Sequence, residues 1–415
     1  MKFFSGIRRY GKALKTLNQI KGERMGVKID CDIPGGNIIV LSSNENGAVL
    51  KKDLRDTSTD WFYWCFRAAF DKAGEYEFRF EPADSPAVGS RGPAVSMDNG
   101  MTWRWAEAGT YDVGKNTFRY RYDGGRENQV VFCLSMQYQE KNLNAFLKEY
   151  AKSPYLETSI LCKSNKGRDV ELIHIAGTAR KAEKKLFLSS RHHCCEMTAT
   201  YVLEGILREA LENREFREVF EVFAVPFADR DGVVDGDQGK NRRPHDHARD
   251  YGDNPIYSET ANIMKLVRQE KMNVVFDLHC PWIYQGCNES IYFVGPELKR
   301  MEEGTLRLSG LIENDPERKV PFAAEDIVLY GTSWNTGANY AQGKTLARWA
   351  GDLDFVELST SIEIPYANAR EFTFSADDWR SFGRTVARAF VRYFRYAPAA
   401  LRRDMDSAPD THSCP

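Results

Sequence analysis

The chain changes its pattern after Tyr138, and that change limits the folds open to it more than any other feature. Between Val27 and about Tyr138 the runs are short and β-rich: VKIDCDI, NIIVLSS, WFYWCFRAAF, YEFRFEP, TFRYRY and VVFCLSM, separated by Gly, Asn, Asp and Pro. Short strands divided by turn residues predict an antiparallel β-sandwich. Beyond Tyr138, apolar strand-like runs (VELIHIAG, KKLFLSS, VFEVFAVPF, MNVVFDLH, SIYFVG, STSIEIP) alternate with stretches of helical period at 197–213, 258–271 and 376–395. That alternation predicts an α/β domain with a mixed sheet. The last helix has Ser375 as its N-cap, Asp377 and Asp378 in its first turn, and Trp379, Phe382, Val386 and Phe390 on one face. The expected division is a basic extension over 1–25, a sandwich over 26–140, an α/β domain over 141–400 and a flexible tail over 401–415.

Charge and composition exclude several function classes. Lys and Arg number 57 against 59 Asp and Glu, a net charge of −2, so the chain lacks the basic field that drives nucleic-acid binding. No run approaches the ~20 apolar residues of a membrane-spanning helix. The first 24 residues carry many Lys and Arg without the apolar core and small-residue cleavage site of a secretory signal, which reads as cytoplasmic. Met25 stands directly before the first strand and is a second candidate start. Nine scattered cysteines, an odd number, do not form a disulfide framework.

Two motifs compete for function. Ser96-Met97-Asp98-Asn99-Gly100-Met101-Thr102-Trp103 has the S-x-D-x-G-x-T-W form of the Asp-box found in sialidases and other β-propellers. It occurs once and supplies turn chemistry, with Ser and Asp capping and Gly at a positive φ, but no catalyst. The second motif follows the run Leu186 to Ser190, where His193 and Glu196 form an H-x-x-E between a strand and a helix. An imidazole and a carboxylate so placed converge on one cation. His279, at the C-terminal end of NVVFDLH, is a third candidate ligand where open α/β sheets place their sites. Two His and one Glu make an open, catalytic type of set.

On these residues the chain resembles the zinc carboxypeptidases, especially the cytosolic-carboxypeptidase-like subgroup that carries a β-sandwich ahead of the catalytic domain. The likeness covers about residues 26–400. The family's R-x-H-x-x-E matches Arg191 to Glu196, with its usual Pro-Gly replaced by Cys194-Cys195. Its D-G-V matches Asp231-Gly232-Val233, and its D-L-H matches Asp277-Leu278-His279. Its D-x-N-R segment aligns with Asp246-His247-Ala248-Arg249, where Ala248 stands in place of the Asn.

The resemblance implies one Zn2+ per chain on His193, Glu196 and His279, with Asp246 orienting His193 and Arg249 clamping the substrate's terminal carboxylate. One of Lys240, Arg242 and Arg243 polarises the scissile carbonyl; Arg242 is favoured, with Arg243 beside Arg249 in substrate binding. Glu363, in SIEIPY, takes the place of the general base, with Glu357 as competitor, and Tyr340 that of a mobile tyrosine. The implied activity is hydrolysis of a C-terminal peptide or isopeptide bond of a peptide or protein. An acidic terminal residue is one option, given Lys344 and Arg348 near the pocket segment. A zinc amidase, an N-acyl amino acid deacylase and a silenced binding protein stay open as alternatives. Cys194 and Cys195 beside the metal raise the further idea of a thiol brake on activity.

Overall fold

Two five-stranded sheets pack face to face over residues 27–133 of this computed structural model, which describes residues 26–125, 127–177 and 181–396. The expectations for 1–24 and for the tail from 401 fall outside the described residues. In one sheet the order is Val27–Asp30, Cys65–Phe70, Gln129–Cys133, Ala94–Ser96 and Arg104–Trp105. The other runs Ile39–Asn44, Gly47–Lys51, Gly74–Phe80, Thr117–Tyr122 and Tyr111–Asp112. Alternation decides which side chains enter the core: along Gly74–Phe80, Tyr76, Phe78 and Phe80 point inward and the residues between them face solvent. Phe66 and Phe132 of the first sheet meet Phe78 of the second at 5.6 and 5.4 Å between ring centres, so aromatic packing joins the sheets.

One pair departs from the antiparallel expectation. Gly47–Lys51 runs parallel to Gly74–Phe80, and its five residues carried no alternation strong enough to read. The Asp-box folds as expected: Gly100, at φ 83°, donates its N–H to Ser96 Oγ at 2.7 Å, and Asp98 accepts from the Met101 and Thr102 amides.

Residues 156–363 build an eight-stranded mixed sheet in the order Leu156–Lys163, Asp169–Ile175, Phe220–Val225, Lys184–Ser190, Val274–His279, Leu358–Glu363, Tyr292–Val294 and Ile327–Val328. The four central strands are parallel, and three of them are largely apolar in their middle positions, as sheets covered on both faces require; Leu358–Glu363 carries Ser359-Thr360-Ser361 there instead. Leu186, Leu188, Val274 and Phe276 face the helices Met197–Glu212 and Ala376–Arg395, while Phe187 and Val275 face Ser258–Glu270 and Leu346–Gly351. The first two helices cross closely: a Cβ on Gly205 would sit 2.0 Å from the Arg380 carbonyl oxygen, and one on Gly383 2.1 Å from that of Val202. Ser375 caps Ala376–Arg395 in a capping box with Asp378, as the sequence predicts. Helices Glu140–Glu149 and Lys299–Glu313 were not read from the sequence. No described helix is long and apolar enough to cross a membrane.

Candidate metal centre and active site

Chain order reverses between the Lys184–Ser190 and Val274–His279 strands. The strand that follows the first in sequence pairs on its far side, and the next pairs on its near side. A crevice opens at the carboxyl ends of such a pair. The chain leaves Ser190 through Arg191, which has a left-handed φ of 67°. The buried Arg191 guanidinium donates to the Cys194 and Tyr138 carbonyls and holds the turn that presents His193. Glu196 directly precedes the Met197–Glu212 helix, and His279 is the last residue of its strand.

His193, Glu196 and His279 therefore meet. Their ligand atoms all lie within 4.8 Å of one another, and all three residues are buried. Glu196 Oε1 is 2.6 Å from His193 Nδ1, and Oε2 is 2.8 Å from His279 Nδ1. The far side of each ring is committed to a carboxylate: His193 Nε2 to Asp246 Oδ1 at 3.2 Å, His279 Nε2 to Asp277 Oδ2 at 2.9 Å. Each ring thus has Nε2 on an outer carboxylate and Nδ1 facing Glu196, so a cation held by this donor set would take the place between Nδ1 and the Glu196 carboxylate. Asp246 also accepts from the Asn241 and Ala248 amides, while Asp277 accepts from Ser189 Oγ and lies 3.0 Å from His192 Nδ1. Burial alone would raise these carboxyls, but the imidazoles beside them hold Asp246 and Asp277 far below the usual range and Glu196 at about 2. The donor set, its charge state and its outer carboxylates fit a divalent metal.

One pocket gathers His193, His279, Glu363, Lys240, Arg249 and Tyr340. Glu363 stands opposite His279 in the parallel register of neighbouring strands, and its Oε2 is buried without a hydrogen-bond partner. Burial pushes its carboxyl up to about 7. Glu357, the competitor, is away from the pocket, bonded to Lys184 and Asn273. The Tyr340 ring lies 5.2 Å from the Arg249 guanidinium and 4.0 Å from that of Arg348, and its hydroxyl donates to Asn335 at 2.6 Å. Arg249 Nε donates to the Asn339 carbonyl and Nη1 to that of Ala248.

The oxyanion assignment changes. Arg242 does not face the pocket: its guanidinium is locked among Asp229 and Asp237, each at 2.8 Å, and Asp56, and it lines a second cavity behind the site. Arg243, read as substrate-binding, also lines that second cavity and is exposed. Lys240 is the member of the three that reaches the first pocket. Lys344 is turned away in a pair with Asp352, whereas Arg348 lines the pocket beside Glu297, with which it is paired. The thiol brake has no support either: Cys194 and Cys195 are buried, Cys194 donates to the Asp237 carbonyl, and burial pushes Cys195 up to about 12 and Cys194 well above its ordinary value. Such thiols are unreactive.

Sequence reading missed Thr360, whose buried hydroxyl has no hydrogen-bond partner and lines the pocket, and Glu297. The polar run Ser359-Thr360-Ser361, in a strand that should be apolar throughout, was the available signal for the first.

The second cavity holds a titrating group of its own. Glu259 lines it with an oxygen that lacks a hydrogen-bond partner, and burial pushes its carboxyl from 4.5 up to about 7. The folded chain keeps a proton that the unfolded chain releases, so stability from this group is lost as pH rises from 4.5 to 7. Glu259→Gln is expected to stabilise the protein by roughly 1–3 kcal/mol at about pH 8 and by nothing at about pH 4, read as the shift in thermal midpoint at each pH.

No protein-family model matches the chain. In sequence it is similar to the mouse protein named cytosolic carboxypeptidase 2, 22% identical over 323 residues that cover 64% of this chain and 37% of the mouse protein. The zebrafish protein of that name is 26% identical over 198 residues, covering 42% of this chain and 27% of its own length. The chain thus spans less than half the length of these curated relatives. Among solved structures, the metallo-carboxypeptidase of Burkholderia cenocepacia matches with a TM-score of 0.71 at 16% identity, over 89% of this chain and 99% of that one. The fold is that of the metallo-carboxypeptidases. The Pseudomonas aeruginosa metallo-carboxypeptidase, in complex with (2-guanidinoethylmercapto)succinic acid, matches at 0.69 and 17% identity over 91% and 100% of the two chains. Coverage of that extent takes in the sandwich as well as the mixed sheet. The resemblance read from Arg191–Glu196 and Asp277–His279 is borne out in fold and in sequence similarity.

Proposed function

We propose that the protein is a zinc-dependent carboxypeptidase that hydrolyses the terminal bond of a peptide or protein ending in an acidic residue. The observation that carries this is the convergence, on one pocket, of a two-His, one-Glu donor set, a buried carboxylate with an unpartnered oxygen, and the guanidinium of Arg249. Zinc on His193, Glu196 and His279 supplies Lewis acidity, polarising a carbonyl and lowering the pKa of water there toward ~7. Glu363 accepts the proton of the attacking water and passes it to the leaving amine, a task suited to a carboxyl near neutrality. Lys240 stands where charge develops on the carbonyl oxygen, and Arg249 takes the substrate's terminal carboxylate. Tyr340, whose ring lies beside both Arg249 and Arg348, closes over the bound end. Arg348 supports an acidic side chain in the pocket, in place of Glu297. A cytoplasmic site of action belongs to the same proposal and is supported by the names of the curated relatives.

One feature favours a second reading. Ala248 offers only a methyl where an amide side chain would make another contact to the terminal carboxylate, which suits a zinc amidase or a deacylase of N-acyl amino acids. A panel of peptides differing only in their last residue, run beside N-acyl amino acids, separates the two. Release of terminal Glu or Asp over neutral residues is the expected result. Cleavage of neutral ends overturns the acidic preference. Turnover of acyl amino acids alone makes it a deacylase, and no turnover of either makes it a binding protein.

A further inference from the structure

Lys240 is delivered to the pocket by a loop that has almost no structure of its own. Residues 236–243 form no helix or strand, and Gly236, Gly239 and Asn241 all take left-handed φ values, 75°, 81° and 49°. Gly239 packs so closely on the metal-site turn that a Cβ there would lie 2.5 Å from the Cys194 amide nitrogen, and Asn241 donates its N–H to Asp246, the carboxylate behind His193. Lys240, between these two residues, has its place set by how the loop is held.

The sandwich holds it. Asp56, in the segment between the Gly47–Lys51 and Cys65–Phe70 strands, accepts the Gln238 N–H on Oδ1 and the Gly239 N–H on Oδ2, both at 2.8 Å, and lies 3.4 Å from Arg242 Nε. The Asp56 carbonyl takes the Arg243 amide at 2.9 Å. Around it, the Gln238 side chain bonds to both the N–H and the carbonyl of Tyr63, and Asn37 donates to the Gly236 carbonyl at 2.7 Å. One carboxylate thus satisfies two consecutive backbone amides directly ahead of Lys240 and joins Asp229 and Asp237 around the arginine two residues beyond it. Charge-assisted bonds of this kind are about twice as strong as neutral ones, and amides left without an acceptor here would be costly.

We propose that Asp56 is a positioning residue of the active site, through which the sandwich fixes the loop that presents Lys240 to the reacting carbonyl. The proposal rests on the carboxypeptidase reading for the role of Lys240, while the holding of the loop stands on geometry alone. It gives the sandwich a part in the reaction without any contact to substrate.

The test uses the full chain and three variants, Asp56→Asn, Lys240→Ala and the double variant. Asparagine keeps the shape of the side chain but has one acceptor oxygen for two amides. Expected for Asp56→Asn is a loss of about 10–100-fold in kcat and kcat/KM alike, with zinc content and thermal midpoint close to wild type. Because Asp56 acts through Lys240, the double variant should be no slower than Lys240→Ala alone. Hydrogen exchange supplies a readout independent of activity: the Gln238 and Gly239 amides should exchange at least 10-fold faster in Asp56→Asn, with the segment 186–196 unchanged. Wild-type turnover in Asp56→Asn, additive losses in the double variant, or unchanged exchange at 238–239 each overturn the proposal. A wild type that hydrolyses no peptide overturns the functional reading instead, and exchange then decides whether Asp56 holds the loop.

Discussion

Glu363→Gln is expected to keep its metal and lose turnover by about 10²–10⁴-fold, the usual contribution of a positioned acid–base group. The amide fills the same volume on the same strand end, opposite His279, so neither the donor set nor the fold has reason to move. What it cannot do is take up a proton. The native carboxyl is suited to that exchange because burial pushes it up to about 7 and because its Oε2 is free of any other hydrogen bond. A glutamine nitrogen at the same place can only donate. The check is steady-state hydrolysis of the best substrate of the peptide panel, with metal analysis of the same preparation. Turnover near that of the wild type at full metal occupancy would remove Glu363 from the base role.

His279→Ala should take the metal away altogether. Wild-type protein is expected to carry about one zinc per chain and the variant close to none, because two ligands leave a site that binds far more weakly than three. The loss reaches beyond binding. His279 lies between Glu196 and Asp277, two buried carboxylates that depend on it for a partner on one side. Without the imidazole and without a cation, their like charges face each other unshielded in a dry site. Chelation should therefore lower the thermal midpoint of the wild type, by mass action on a ligand bound to the folded state, and leave that of the variant unmoved. Zinc retained in the variant would exclude His279 as a ligand.

How much of this was legible in the sequence follows from how local each feature is. His193 and Glu196 sit in a strand-to-helix turn and His279 at a strand end, short patterns whose geometry the backbone sets, and Asp246 caps its own turn, so all four could be placed by pattern. Glu363 was separated from Glu357 by its context near the strand end, and the structure puts only Glu363 in the pocket. Lys240 and Arg242 could not be told apart in the same way. They lie two residues apart in a loop of left-handed turns held by residues some 180 positions earlier in the chain, and no local rule says which side chain faces inward. Arg242 also has the stronger partners, three carboxylates that draw it away from the pocket. The Gly47–Lys51 strand was missed for a related reason. Its parallel pairing with Gly74–Phe80 is a tertiary choice that four small or apolar residues and one lysine do not announce.

The register between the Val274–His279 and Leu358–Glu363 strands has one more consequence. His279 and Glu363 are direct partners across a parallel ladder, so their separation is fixed by the distance between neighbouring strands, roughly 4.8 Å. The intervening residues, 280–357, do not enter that distance. Insertions and deletions at an exposed turn of this excursion, such as 331–334, can lengthen or shorten one wall of the pocket while the spacing of ligand and base stays the same. The ladder works as a ruler, and the chain hung between its two marks is where new substrate preferences can be tried at little risk to the chemistry.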